Sequence, residues 1–195
     1  MILLARHGET EWNVERRIQG SQDSELTARG VRQAAAMADL IGDLVRREAG
    51  PWRLLSSPQR RAHVTAQAIA DATGLSLELD DRLREAAFGT WEGHSRDDLA
   101  ARHPDLFSTR RWLVEAPDGE SYEDILARAA SLLADLRPEP ARRVILVSHG
   151  ITGRLIRAAY AGLDRNAGLE LDVPQDAVFR LQNGQIDRFD CEPIG

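Results

Sequence analysis

Arg143-Val144-Ile145-Leu146-Val147-Ser148-His149-Gly150 is an unbroken apolar run that stops at a serine, a histidine and a glycine. A run that is apolar at every position, not at alternate ones, reads as a strand buried on both faces, the kind found in parallel sheets covered by helices. The start of the chain repeats the pattern, with Ile2-Leu3-Leu4-Ala5 followed by Arg6-His7-Gly8. Working outward, 53–56 reads as a strand leading into Ser57-Pro58, a cap with proline at the first position of a helix that stops at Gly74. Thr27 caps a helix running to Arg47, with Val31, Ala34, Ala35, Ala38, Ile41 and Val45 on one face. Residues 76–79 alternate as a further strand. A short helix over 95–102 closes at Pro104, and Ser121 starts a longer one with Ile125, Ala129, Leu132, Leu133 and Leu136 as its stripe. A helix over 151–161 follows His149. Segments 177–181 and 186–189 flank Asn183-Gly184, a hairpin signal. Strands alternating with helices predict an α/β fold: a three-layer α/β/α sandwich with a mainly parallel central sheet and an antiparallel hairpin at one edge. Ligands bind such sheets beyond the carboxyl ends of their strands, where His7, Ser57 and His149 fall.

The composition narrows the function classes. With 195 residues, no repeat and no linker-like stretch, 1–195 reads as one domain. The net charge is −6, and all 25 basic residues are arginine. A lysine-free chain of negative charge does not suit nucleic acid or an anionic membrane. The apolar run at the start is too short for a signal peptide or a membrane span, and Cys191 is the sole thiol, so a cytoplasmic location is expected.

Four segments carry chemistry. In Arg6-His7-Gly8-Glu9-Thr10 a guanidinium flanks a histidine at a strand end; nearby cations favour the neutral, nucleophilic imidazole, and the guanidinium fork matches phosphoryl oxygens. In Ser56-Ser57-Pro58-Gln59-Arg60-Arg61-Ala62 arginines occupy the first turn of a helix, where free N–H groups attract anions; an exposed arginine pair is the plainer account. Ser148-His149-Gly150 again suits an oxyanion, against a satisfied core histidine. In the stretch from Leu83 to Gly93, Glu85 in a partly apolar pocket suits a general acid, with Glu92 as its rival. His63, His94 and His103 have no ligand spacing and read as surface or packing residues.

Together and in this order, these segments resemble the histidine phosphatase superfamily, which includes the cofactor-dependent phosphoglycerate mutases. The resemblance extends from Met1 to at least Ala159. It also takes in Asn13, Arg17, Gln19-Gly20, Leu26-Thr27, Gly30, Gln33-Ala34, Phe88-Gly89 and Trp91-Glu92-Gly93. It implies a phosphoglycerate mutase-like fold with His7 as the nucleophile that becomes phosphohistidine. It further implies Arg6, Arg61 and His149 as a phosphate clamp, and Glu85 as the acid that protonates the leaving oxygen and then helps activate water. Arg61 is taken over Arg60 because the family pattern sets its arginine before alanine, here Ala62. Asn13, Gln19, Gly20, Gly150 and Ile151 are implied substrate contacts. No metal and no cofactor are implied, and the partner is a small-molecule phosphomonoester bound by a monomer or homodimer. Four positions depart from the pattern. Gln59 stands where an apolar residue is usual, Glu25 where proline is common, Ala87 where a polar residue is frequent, and Asp118 where a glycine is.

Three functions compete. A hydrolase fits the short interval between Glu85 and His149 and the lack of the lysine that mutases use. A mutase remains the alternative, with Arg110-Arg111 as conceivable anion-binding arginines, although a surface pair is the plainer reading. A non-catalytic phospho-ligand binder is the third, and retention of His7, Arg6, Arg61, Glu85 and His149 speaks against it. Residues 90–121 are expected to form a cap over the crevice, with Phe107 and Trp112 packing within it. If either ring faces the pocket, it favours an apolar or ring-bearing leaving group.

Overall fold

In the computed structural model, which describes residues 1–192, six strands form one sheet. They are β1 (Ile2–Arg6), β2 (Arg53–Ser56), β3 (Leu77–Leu79), β4 (Val144–Ser148), β5 (Ala177–Gln182) and β6 (Gln185–Asp190), in the spatial order β3-β2-β4-β1-β5-β6. The first four in that order are parallel, whereas β5 runs antiparallel to both β1 and β6. The helices are α1 (Glu11–Val14), α2 (Ala28–Arg47), α3 (Arg60–Thr73), α4 (Arg96–Arg102), α5 (Pro104–Ser108), α6 (Tyr122–Asp135), α7 (Gly150–Ala161) and α8 (Arg165–Glu170).

The two-residue period of the strands sorts the core into layers. Leu3, Ala5, Ile145 and Val147 face α2 and α3, packing with Met37, Ile41, Ala66 and Ile69. Ile2, Leu4, Val144 and Leu146 face the other way, toward Ala129 and Leu132 of α6 and Ile156 of α7. This is the three-layer sandwich expected. A third cluster joins Phe88, Trp91, Leu99 and Leu113 to Tyr122, Ile125 and Leu155, and seats the segment that carries α4 and α5 on α6 and α7.

Local departures from expectation have physical causes. The buried stripe of α2 is Gly30, Gln33, Ala34, Met37, Ala38 and Ile41, while Ala35 is exposed and Val31 is 54% exposed. The helix is rotated so that Gly30 meets the Glu9 carbonyl, where a Cβ would come within 1.9 Å, and so that Gln33 Oε1 accepts the Glu9 N–H at 2.7 Å. Helix α3 begins at Arg60, later than Ser57-Pro58 predicts, because Gln59 is extended (ψ 133°) and its carbonyl takes the first helical hydrogen bonds, while the Ser57 hydroxyl meets the Gln59 N–H (3.2 Å) and His149. Pro104 ends α4 and opens α5 as its first residue, the position proline tolerates best. Asp118, in place of a glycine, sits at φ +59°, a left-handed conformation that aspartate adopts more readily than most residues. Among the described residues no helix is long and apolar enough to cross a membrane.

Candidate active site

Because β4 lies between β1 and β2, the carboxyl ends of three strands sit side by side. The ladders continue one step past them: the His7 N–H donates to the Ser148 carbonyl and the Ser57 N–H to the Val147 carbonyl, both at 3.0 Å. These bonds fix the backbone of His7 and Ser57, and the His7 and His149 rings stand 5.1 Å apart. Gly8 is required beside His7, since a Cβ there would come within 2.2 Å of the Gly30 carbonyl.

The His7 tautomer follows from its partner. Nδ1 lies 2.8 Å from the Gly8 carbonyl, which can only accept, so Nδ1 carries the proton and Nε2 keeps its lone pair. Burial, with the charges of Arg61 and Arg6, holds this imidazole well below its ordinary pKa. It is therefore neutral at pH 7, as a nucleophile requires. His149 is held down in the same way, by burial and then by Arg61, His7 and Arg6. Its Nε2 meets the Ser57 hydroxyl at 2.8 Å; with that hydroxyl donating, Nδ1–H is left as a donor.

The guanidiniums are anchored by carbonyl groups. Arg61, only 1% exposed, gives Nη1 to the Gln22 carbonyl (2.6 Å) and Asp23 Oδ1 (2.7 Å), and Nη2 to the Gly20 carbonyl (2.9 Å). Arg60 points outward to Glu25. Arg6 gives Nη1 to the Val173 carbonyl at 2.7 Å, and burial brings its guanidinium down to about 10, still charged at neutral pH. Five buried side-chain nitrogens among the described residues have no partner, and three of them, Arg6 Nε, Arg61 Nε and His149 Nδ1, belong to this one site. Native interiors leave few donors orphaned, so three positive or polar N–H groups gathered here form a site for an anion's oxygens.

Glu85 stands at the amino end of α7. Its Oε1 accepts the N–H groups of Ala86 (3.0 Å), Ile151 (3.1 Å) and Thr152 (3.2 Å), whereas Oε2 takes only a 3.2 Å bond from Ile151. The partly apolar pocket expected from sequence is corrected here: backbone donors surround this carboxyl, because the first-turn N–H groups of a helix have no partners of their own. Oε2 is the less engaged oxygen and the one available to carry a proton. Glu92, the rival, is taken up by the Ser21 N–H (2.8 Å) and the Phe88 N–H (2.9 Å) and does not line the cavity.

A cavity of about 440 Å³ opens over these groups. His7, Arg6, Arg61 and Glu85 line it, as do Asn13, Gln19, Gly20, Gly150 and Ile151, with the His149 ring against His7. Phe107 and Trp112, read as packing residues that would favour an apolar or ring-bearing leaving group if they faced the pocket, stack on each other 4.8 Å apart and form part of the cavity wall. Arg110 lines the cavity; Arg111 turns away to Glu115 at 2.6 Å.

Two features escaped the sequence reading. Residues 171–176 strap the site: the Val173 carbonyl orients Arg6, and Gln175 Nε2 donates to the His7 carbonyl (3.2 Å) and to Asn13 Oδ1 (2.9 Å). Asn13 Oδ1 also accepts the Thr10 N–H, which turns the Asn13 amide nitrogen away from these partners. Gln59 accepts the Glu85 N–H at 2.7 Å and donates to the Gly20 carbonyl at 2.8 Å, tying the carboxylate's backbone to the loop that orients Arg61. The strap orients Arg6 through a peptide carbonyl, which leaves no mark in sequence, and holds His7 and Asn13 through Gln175, which stands in a loop with no periodic pattern. Gln59 had a signal, as a polar residue where an apolar one is usual.

A parallel-sheet sandwich presenting a neutral histidine among guanidiniums defines a protein built to handle oxyanions at its strand ends. The family model of the histidine phosphatase superfamily (branch 1) matches residues 2–187, and the chain belongs to that family. A probable phosphoglycerate mutase of Enterobacter sp. (strain 638) is 38% identical, over 98% of this chain and 85% of that relative. A mycobacterial glucosyl-3-phosphoglycerate phosphatase, solved with VO3, superposes with a TM-score of 0.81 at 30% identity, covering 98% of this chain and 99% of that one. A phosphoserine phosphatase mutant from Entamoeba histolytica, solved with phosphoserine, gives a TM-score of 0.76 at 28% identity, over 97% and 95% of the two chains.

Proposed function

We propose that the chain is a phosphomonoester hydrolase that acts on a small phosphorylated metabolite, without a metal, through a phosphohistidine on His7. The observation that carries this reading is the cluster of orphaned donors, Arg6 Nε, Arg61 Nε and His149 Nδ1, around a neutral His7 whose Nε2 is free. The phosphoryl group sits among these donors, which balance charge on its equatorial oxygens as the transfer proceeds in line. The His7 Nε2 lone pair forms the N–P bond while the P–O bond to the organic group breaks. A proton from Glu85 Oε2 passes to the departing oxygen, releasing an alcohol. Water then attacks phosphorus, gives its proton to Glu85, and the N–P bond returns its electron pair to Nε2. The ring wall of Phe107 and Trp112 borders the space for the organic group.

The test follows phosphate release from a panel of phosphomonoesters in the presence of EDTA, with His7→Ala as control and 2-phosphoglycerate formation from 3-phosphoglycerate scored in parallel. Chelator-resistant release that the control abolishes is the expected result. Isomerisation without release makes the chain a mutase, and silence across the panel returns it to the binding proteins.

A further inference from the structure

The strap, residues 171–176 between α8 and β5, contributes nothing to the three apolar clusters among the described residues. A stretch without buried apolar contacts is held by its hydrogen bonds, and where those fail it moves before the rest of the fold does. Here three successive carbonyls each accept a guanidinium: Leu171 from Arg154 Nε at 2.6 Å, Asp172 from Arg157 Nη2, and Val173 from Arg6 Nη1 at 2.7 Å. Pro174 follows, fixing its own φ and biasing Val173 toward extended backbone. The Val173 carbonyl is thus bracketed, on one side by two arginines of α7 and on the other by a proline and by Gln175, whose amide reaches the His7 carbonyl.

Arg157 does not line the cavity. It is 3% exposed and lies over the Phe179 ring, 3.9 Å from its centre. Burial lowers its guanidinium from the ordinary value, and Asp172 works against that shift. Besides the Asp172 carbonyl it holds the carboxylate, giving Nη1 to Oδ1 at 3.2 Å, while Arg188 of β6 gives Nη1 to Oδ2 at 2.6 Å. An aliphatic side chain would cover Phe179 without taking a charge out of water. What the guanidinium adds is a two-point grip on Asp172, whose neighbour in the chain supplies the carbonyl that holds Arg6.

We propose that Arg157 is a positioning residue for phosphoryl transfer: its grip on Asp172 seats the strap so that the Val173 carbonyl sets the plane of the Arg6 guanidinium and directs Arg6 Nε at the transferred group. This rests on the phosphohistidine reading above. Arg6 Nε is one of the orphaned donors, and with Nη1 tied to Val173 a displaced strap swings the whole plane. Donors that stabilise an in-line transition state act only when aimed at the oxygens it carries. A small swing is therefore felt there before it is felt in ground-state binding.

The test measures by calorimetry the binding of orthovanadate, which takes the five-coordinate geometry of the transfer when His7 Nε2 ligates it, and of inorganic phosphate, which is held without a bond to His7. Arg157→Met, which keeps the cover over Phe179, is expected to weaken vanadate about tenfold, the worth of one charge-assisted hydrogen bond, and phosphate by less than about threefold. In an Arg6→Ala background the same substitution should leave vanadate affinity within about twofold, because the residue it acts through is gone. Asp172→Ala, at a half-exposed position, reads the same coupling if Arg157→Met does not fold. Equal losses for the two anions, a loss that persists without Arg6, or no loss at all overturns the proposal and leaves Arg157 a packing residue. Both anions bind whether or not an ester is turned over, so absence of phosphate release by the unaltered enzyme overturns the hydrolase alone. Failure to bind either anion overturns the oxyanion site and the role of Arg157 together.

Discussion

Replacing Gln59 by leucine keeps the side chain's bulk and removes two hydrogen bonds, from the Glu85 N–H (2.7 Å) and to the Gly20 carbonyl (2.8 Å). The Gly20 carbonyl retains Arg61 Nη2 at 2.9 Å, so the uncompensated loss is the Glu85 N–H. A buried donor stranded in this way costs about 1–3 kcal/mol, which urea denaturation should register. Activity should respond unevenly. A positioned general acid is worth about 10²–10⁴ in rate, and a displaced but intact carboxyl forfeits part of that, on the order of 10–100-fold in kcat/KM for an alkyl phosphate. With p-nitrophenyl phosphate the phenolate departs without needing a proton, so kcat/KM should change by less than about threefold. Steady-state kinetics on sn-glycerol 3-phosphate and p-nitrophenyl phosphate give the ratio directly. Equal losses on both substrates would refute the reasoning, because they would show Gln59 supporting the fold without placing the acid.

Three further outcomes are expected. Arg128 holds Glu120 (2.9 Å), the Arg82 and Arg84 carbonyls (both 2.8 Å) and Thr152 (3.2 Å) around the Glu85 segment. Arg128→Met removes a charged donor from a partly buried Glu120 and from two carbonyls and should lower stability by about 1–3 kcal/mol; an unchanged urea midpoint would contradict this. Gly8→Ala forces a Cβ against the Gly30 carbonyl and should cost about 1–3 kcal/mol or more, with activity lost in any protein that still folds; a stable, active variant would show that α2 yields. Burial chiefly holds His7 and His149 neutral in the folded chain, whereas the unfolded chain protonates both as pH falls through about 6.5. The unfolded state then binds more protons, so stability should fall between about pH 7.5 and 5.5, each histidine adding up to about 1.4 kcal/mol per pH unit. Urea titrations should show a shallower slope for a His7→Gln, His149→Gln double variant; an unchanged slope would assign the effect elsewhere.

The sandwich was legible because β1 and β4 are buried on both faces, and burial of that kind demands apolar residues at every position. Side chains at strand ends were legible for a related reason: a histidine or arginine following such a run has nowhere to go but the crevice. The face of α2 was misread at Val31 and Ala35 because its deciding residues, Gly30 and Gln33, are chosen for a backbone contact and a hydrogen bond to Glu9, and carry no hydrophobic signal. The alanines around them fit either face. Short α1 and α8 lack the two turns over which a helical period shows itself. The strap is the least legible part, since its work on Arg6 is done by a peptide carbonyl that any residue would supply at position 173.

The absence of lysine bears on the same site. Keeping His7 neutral requires a dry floor, whereas attracting a phosphoryl dianion requires fixed positive charge there, and the two demands oppose each other. Arg6 and Arg154 meet both: burial brings each down only to about 10, and they remain charged at neutral pH. A lysine losing as much would start near 10.4 and finish near about 8, already discharging in part as a cell's pH rises above neutral. Geometry separates the two residues as well. Arg6 fixes its plane with Nη1 on the Val173 carbonyl while Nε stays unpaired, and Arg154 does the reverse, fixing Nε on Leu171 and leaving its Nη groups free. An ammonium has no plane to fix, so the carbonyl that anchors it does not aim its remaining donors. The cavity therefore depends on guanidinium chemistry twice, for charge that survives desolvation and for donors whose direction a single backbone carbonyl can set.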